Sequence, residues 1–280
     1  AMAQPDPLAT YDRFEQAYLS QHYASAKPMV PEITEVALWL MRTLLGDEGE
    51  HHVADHPWLR SHIVTARGRG PNGRQPGKRL VAGMGIAALG NALSRTTLRA
   101  SFQRVVFASR GAEPLTPLFD GFGTRYIDLA KTNVFNALMA SGAIPYVFEG
   151  VYDIDGAGKG AFWDGGIIDY HFDLKRLPED EVWLYPHFSS RTTVGWFDKF
   201  LPWRADRQVS ADQLIMICPS DAFLAQLPFG KIPDRRDFGK IPERVRETYW
   251  RHCVNESQRL ADEFHELING PDPLAGALRF

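Results

Sequence analysis

Two short segments constrain the fold of this chain more than any other part of it: Ala140-Ser141-Gly142-Ala143-Ile144-Pro145 and Phe162-Trp163-Asp164-Gly165-Gly166. The first is a run of small residues ending in Ile-Pro. Proline pushes the residue before it out of the helical region, so a helix reaching Ser141-Gly142 has to stop there. The second is an apolar run that breaks at Asp-Gly-Gly, residue types that favour a tight turn. Between them, residues 146–152 and 160–163 read as two arms of a hairpin around Asp155-Gly156-Ala157-Gly158. Helix, strand, hairpin and turn in so short a span call for a fold in which helices cover a sheet.

The rest of the chain continues the alternation. Residues 11–23 carry helical spacing at Tyr11, Phe14, Ala17 and Tyr18, and residues 32–45 form a second helix opened by Pro31 and closed by Gly46. Residues 61–66 read as a strand, 67–78 as a Gly/Pro/Arg loop, 80–98 as a small-residue helix and 104–108 as the next strand. Thr132 is the expected cap of the helix that ends at Ser141-Gly142. Residues 182–187 and 214–218 are apolar runs of buried-strand type, and residues 243–268 form a closing helix. The near-repeat of Phe229-Gly230-Lys231-Ile232-Pro233-Asp234 at Phe238 to Glu243 reads as surface loop. The expected class is α/β, as one domain over residues 1–280.

With these elements set out, the pair of segments resembles the C-terminal part of the patatin-like phospholipase family, over roughly residues 60–170. The resemblance implies a layered α/β fold with a central, mostly parallel sheet. It implies serine-dependent hydrolysis of acyl esters in lipids, with Asp164 as the base of a Ser-Asp dyad and with no metal or cofactor. Gly165 and Gly166 would let the backbone turn sharply, and Ser141, Ile144 and Pro145 would support the turn and its pocket. The family's serine sits in a GxSxG elbow after a Gly-rich oxyanion loop, and neither GxSxG nor GGGxxG occurs in these 280 residues. On that reading Ala1-Met2-Ala3 is the tail of the nucleophile helix, stopped by Pro5 and Pro7, and the first βαβ unit lies outside the chain. Residues 188–280 would be a family-specific extension. Where family members often continue with Asn-Pro, this chain has Ile167-Ile168-Asp169-Tyr170-His171, so Asp169 and His171 are candidates for supporting roles. The alternative is a non-catalytic lipid-binding or scaffold protein of the same fold.

Chemistry other than acyl hydrolysis finds little support. The two cysteines, Cys218 and Cys253, are far apart and form no CxxC. His51, His52, His56 and His62 lack the spacing of a zinc site, and Asp153-Ile154-Asp155-Gly156 lacks that of a calcium loop. No apolar run approaches the ~18 residues of a membrane span, so a cytoplasmic or membrane-peripheral location is expected. Net charge is −3, yet no Asp or Glu occurs between His56 and Ala112, where ten Arg and Lys stand. Such a stretch attracts anions. The aromatic platform of an RNA-binding sheet is missing, so nucleic acid is not the expected partner; an anionic membrane surface is. Met84, Leu89 and Leu93 would face lipid as a lid, and residues 195–204, rich in aromatic and basic side chains, would anchor at the interface.

Overall fold

The computed structural model describes residues 1–25, 27–114, 122–172, 182–201, 203–204, 214–274 and 277. Helix α1 (Pro7–Leu19) is capped by Asp6, whose side chain accepts from the Ala9 N–H at 3.0 Å. Pro7 therefore opens a helix instead of stopping one, because its missing N–H needs no partner in the first turn. The expected helix tail at Ala1-Met2-Ala3 is a turn, held by Gln4 N–H donating to Ala1 O. Helix α2 (Val30–Leu45) ends on Gly46 at φ 63°, a conformation glycine adopts without strain. Helix α3 (Gly49–Ala54) follows.

The main sheet holds β1 (His62–Gly68), β2 (Phe102–Ala108), β3 (Thr124–Asp128), β4 (Val151–Tyr152) and β5 (Ala161–Asp164), in the order β3-β2-β1-β5-β4. It is mixed, which corrects the expectation of a mostly parallel sheet. Only β2 and β3 run parallel; β1 is antiparallel to both β2 and β5, and β4 to β5. The excursion after β1 explains this. Helix α4 (Lys78–Leu93) is followed by the single turn of α5 (Leu98–Ser101), which delivers the chain to the end of β1 it left. Gly68 pairs with Phe102, and Arg69 N–H donates to Ser101 O at 2.9 Å. The excursion thus closes like a long hairpin, not like a parallel crossover.

Strand alternation divides the core into two layers. Ala66, Phe102, Ala161 and Trp163 face α4 through Leu80, Met84 and Ala87. Ile63, Val105, Phe107 and Phe162 face α6 (Val134–Ser141) through Val134, Ala137 and Ala140. Thr132 does not cap α6; its hydroxyl donates to Asp155, and Asn133 occupies the cap position. The long helix expected over residues 80–98 breaks at Ser94, whose backbone is extended. The first hairpin arm shortens to Val151–Tyr152, because Tyr146 takes φ 68° and leaves the strand region.

Strands β6 (Trp183–Pro186) and β7 (Leu214–Ile217) form a separate two-stranded parallel sheet. β6 alternates half-buried and exposed residues, so the expectation of buried strands is corrected. A third cluster joins Leu19 of α1 to Phe223 on α7 (Asp221–Gln226) and to Tyr249, Trp250 and Cys253 on α9 (Glu243–Asn269). In the second copy of the near-repeat, Phe238–Lys240 belong to a short helix, α8 (Asp237–Lys240), whose first residue, Asp237, is buried and accepts from Lys231 and from the Trp250 indole.

Candidate active site around Asp164

The fold brings the two marker segments together. Asp164 closes β5, and its N–H donates to Ala143 O at 3.0 Å. Across β5, Asp164 pairs with Thr65 of β1. Val64, next to Thr65, accepts from the Ser141 hydroxyl at 2.9 Å. The same carbonyl oxygen lies 2.5 Å from where a Cβ on Gly165 would stand, so no side chain fits there. Ser141 and Gly165 therefore close on one backbone group of β1, which fixes the entry to the turn. Pro145 is buried and Ile144 half-buried beside it.

Residues Gly165–Ile167 form one 3-10 turn, with Asp164 as its cap. Asp164 Oδ1 accepts from the Gly166 N–H at 2.7 Å. Oδ2 receives no hydrogen bond among the described residues. Burial pushes the Asp164 carboxyl above the ordinary carboxylate range; the Gly166 N–H and the positive charges of Arg235 and Lys199 pull it partly back. The result is a half-buried carboxyl with one oxygen fixed and the other without a hydrogen bond among the described residues.

The other end of the turn is sealed. Asp169 N–H donates to Gly165 O at 2.9 Å, and the Asp169 carboxylate accepts from Arg104 Nε and Nη2, each at 2.6 Å. Arg104 is wholly buried and Asp169 nearly so, with Arg95 as a third partner at 3.5 Å. This ion pair ties the turn to β2. It also removes Arg104 from the solvent-facing charge of the basic stretch. His171 is fixed too: its Nδ1 accepts from Thr193 N–H at 2.6 Å, and its ring packs on Tyr170 and His187. Burial, with the charges of His187 and Lys199, lowers the His171 pKa to about 3, so the ring is neutral at physiological pH.

Sequence reasoning missed two cations that act on Asp164 and the one that holds Asp169. Lys199 reaches Asp164 from the C-terminal half and stands 3.2 Å over the Tyr170 ring. Arg235 reaches it from the loop before α8. Arg104 was visible as a cation inside an otherwise apolar strand, a signal that an anion must be buried opposite; nothing local marked Lys199 or Arg235. Two cavities lie between the N-terminal segment and the C-terminal helices. One, of ≈ 230 Å³, is lined by Tyr11, Phe14, Tyr18, Trp250 and Arg235; the other, of ≈ 490 Å³, lies between Tyr23 and the Phe238 to Arg246 segment. Neither is lined by Asp164, Ile144 or Pro145. No group of His, Cys, Asp and Glu suited to a metal ion occurs among the described residues. No helix among them is long and apolar enough to cross a membrane.

Comparison with protein-family models, with curated proteins and with solved structures returns no match for this chain.

Proposed function

We propose that this chain carries the general base of a serine acyl-ester hydrolase of the patatin-like kind, acting on lipid esters. The single observation that carries the reading is the Asp164 carboxyl: one oxygen pinned to Gly166, the other open, and its proton affinity raised by burial. A serine hydroxyl is a weak nucleophile until a neighbouring group removes its proton. In the proposed step the serine oxygen bonds to the acyl carbonyl carbon while its proton passes to Asp164 Oδ2. The proton then goes to the departing alkoxide as the ester C–O bond breaks, leaving an acyl-enzyme that water hydrolyses by the same route. Because the 280 residues contain no GxSxG, the proposal assigns the nucleophile and the oxyanion donors to sequence outside them. The junction of Asp164 with Ala143, and of Ser141 and Gly165 with Val64, supports the reading: it holds the base on a rigid strand end.

A p-nitrophenyl ester assay tests it, on the 280-residue chain and on a product read together with the codons preceding Ala1. The expected outcome is no turnover by the first and turnover by the second. Asp164→Asn should lower the second rate by about 10²–10⁴, the usual contribution of a positioned base. Turnover by the 280-residue chain, or full activity in Asp164→Asn, removes Asp164 from the mechanism. No turnover by either product favours a non-catalytic lipid-binding fold.

A further inference from the structure

Helix α4 presents an anomaly of a different kind. From Leu80 to Leu93 it contains no charged residue. Its inner face, Leu80, Gly83, Met84, Ala87 and Asn91, is buried against the sheet. Met84 therefore packs inward and does not face lipid as expected. Its outer face is just as apolar and lies in solvent: Val81 is 57% exposed, Ile86 64%, Leu89 74% and Leu93 86%. At 100° per residue these four fall within one half of the helix circumference, together with Ala82 and Gly85. A helix apolar all round is ordinarily buried on all sides, and here one side is left uncovered.

The neighbouring segment carries two more exposed apolar side chains. Among residues 195–204, Phe197 is core and Trp196 packs against it, but Phe200 is 68% exposed and Trp203 70%. Arg204 donates to Asn91 O at 2.6 Å, and the Asn91 side chain donates to Asp198 at 2.8 Å. Those bonds leave from the buried side of α4, where Asn91 lies, and tie the segment carrying the two exposed aromatics to the C-terminal end of the helix. The charged residues of α4 itself have one sign. Lys78 and Arg79 are exposed in the first turn, where the helix dipole disfavours cations. Neither has an ion pair among the described residues, so local stability does not explain them. Asp198, the acid nearest in this group, is 3% exposed and held by Asn91 and Arg204.

We propose that the outer face of α4, with Phe200 and Trp203 beside it and Lys78 and Arg79 at its end, docks on the surface of an anionic lipid bilayer. The two exposed cations at the end of this face, without an ion pair among the described residues, favour an anionic occupant, and a second copy of the chain supplies no acid there. The aromatic pair fits the headgroup region, where amphipathic rings settle. The helix would lie in the plane of the interface with its apolar side inserted. This goes beyond hydrolysis and does not depend on it, since binding is read without turnover.

Co-sedimentation of the 280-residue chain with vesicles tests the proposal, using phosphatidylcholine alone and an equimolar mixture with phosphatidylglycerol. Binding to the mixed vesicles is expected to weaken with salt but not to vanish, because the apolar part is not screened. Leu89→Asp with Leu93→Asp should abolish it. Lys78→Glu with Arg79→Glu should remove the preference for anionic vesicles, each lost cation lowering binding about fivefold. The same charge change at two exposed cations outside this face, Lys240 of α8 and Arg244 of α9, made as Lys240→Glu with Arg244→Glu, should leave binding intact. Should the aspartate variant unfold, quenching of wild-type fluorescence by brominated lipid, lost in Trp203→Phe, gives the same answer. Three results would overturn the proposal: no binding to either vesicle, equal loss in the Lys240 and Arg244 control, or a dimer in solution that the Leu89 and Leu93 changes dissociate.

Discussion

The Gly165–Ile167 turn is bounded by two carboxylates with opposite surroundings. Asp169, at its far end, is closed under Arg104 and Arg95 and shielded from solvent. Asp164, at its near end, keeps an oxygen open and has a raised proton affinity. Both lie in the same stretch of chain, so local sequence does not separate them. The partner strands do: β2 offers Asp169 a buried guanidinium, while β1 offers Asp164 only backbone. A carboxylate tied to a fixed cation stays ionised and holds structure. A carboxylate that is desolvated without an ion pair among the described residues has its proton affinity raised, with Lys199 and Arg235 pulling it only partly back. The turn sets one firm end against one reactive end, and each depends on the other for its geometry.

The largest way to break that contrast is to remove the firm end. Asp169→Ala leaves Arg104 buried without its main partner, and stripping one side of a buried ion pair costs about 3–5 kcal/mol. Urea unfolding should show that loss, whereas Asp169→Leu with Arg104→Met should recover most of it. A single Asp169→Ala that unfolds like the parent would mean the pair does not hold the turn. Intermediate in size is Gly165→Ala. Its Cβ would stand 2.5 Å from Val64 O, and a backbone atom cannot swing aside as a side chain can. A cost of about 1–3 kcal/mol is expected, with slippage between β1 and β5 visible as faster amide exchange at Thr65 and Asp164.

The smallest effect on stability belongs to Asp164→Asn, and its sign sharpens the comparison. A carboxyl whose pKa is raised on folding binds its proton more tightly in the native state. Its contribution is therefore favourable at low pH and is lost as pH rises through the raised value. Asparagine keeps an acceptor for Gly166 and carries no charge. Asp164→Asn should thus match the parent in acid and be as stable or more so at neutral pH, by thermal unfolding across a pH series. A variant that is less stable at neutral pH than in acid, relative to the parent, would show that Asp164 is held by a cation as Asp169 is.

Much of the fold was legible where local rules act alone. Pro31 and Gly46 bound α2, and the closing helix begins at Glu243 as read, because caps and periodicity are short-range. The marker segments also fixed where a helix and a strand must end. Local rules failed where two interpretations share one residue pattern. Pro7 can stop a helix or start one, and Asp6 decided by capping. The sheet's direction was not legible, since an intervening helix suits either sense and only the return of α5 to the end of β1 resolves it.

Sequence by itself determined the bounds of α2, the start of the closing helix and that Asp164 stands at a strand end followed by two glycines. Tertiary structure decided what each charge faces. Arg104 became a buried anchor, Lys199 and Arg235 came to Asp164 from the distant C-terminal half, and one apolar face of α4 was buried while the other stayed open. The physical reason is range. Backbone preferences are set by neighbours along the chain, whereas burial and electrostatic environment are set by whatever the fold packs alongside.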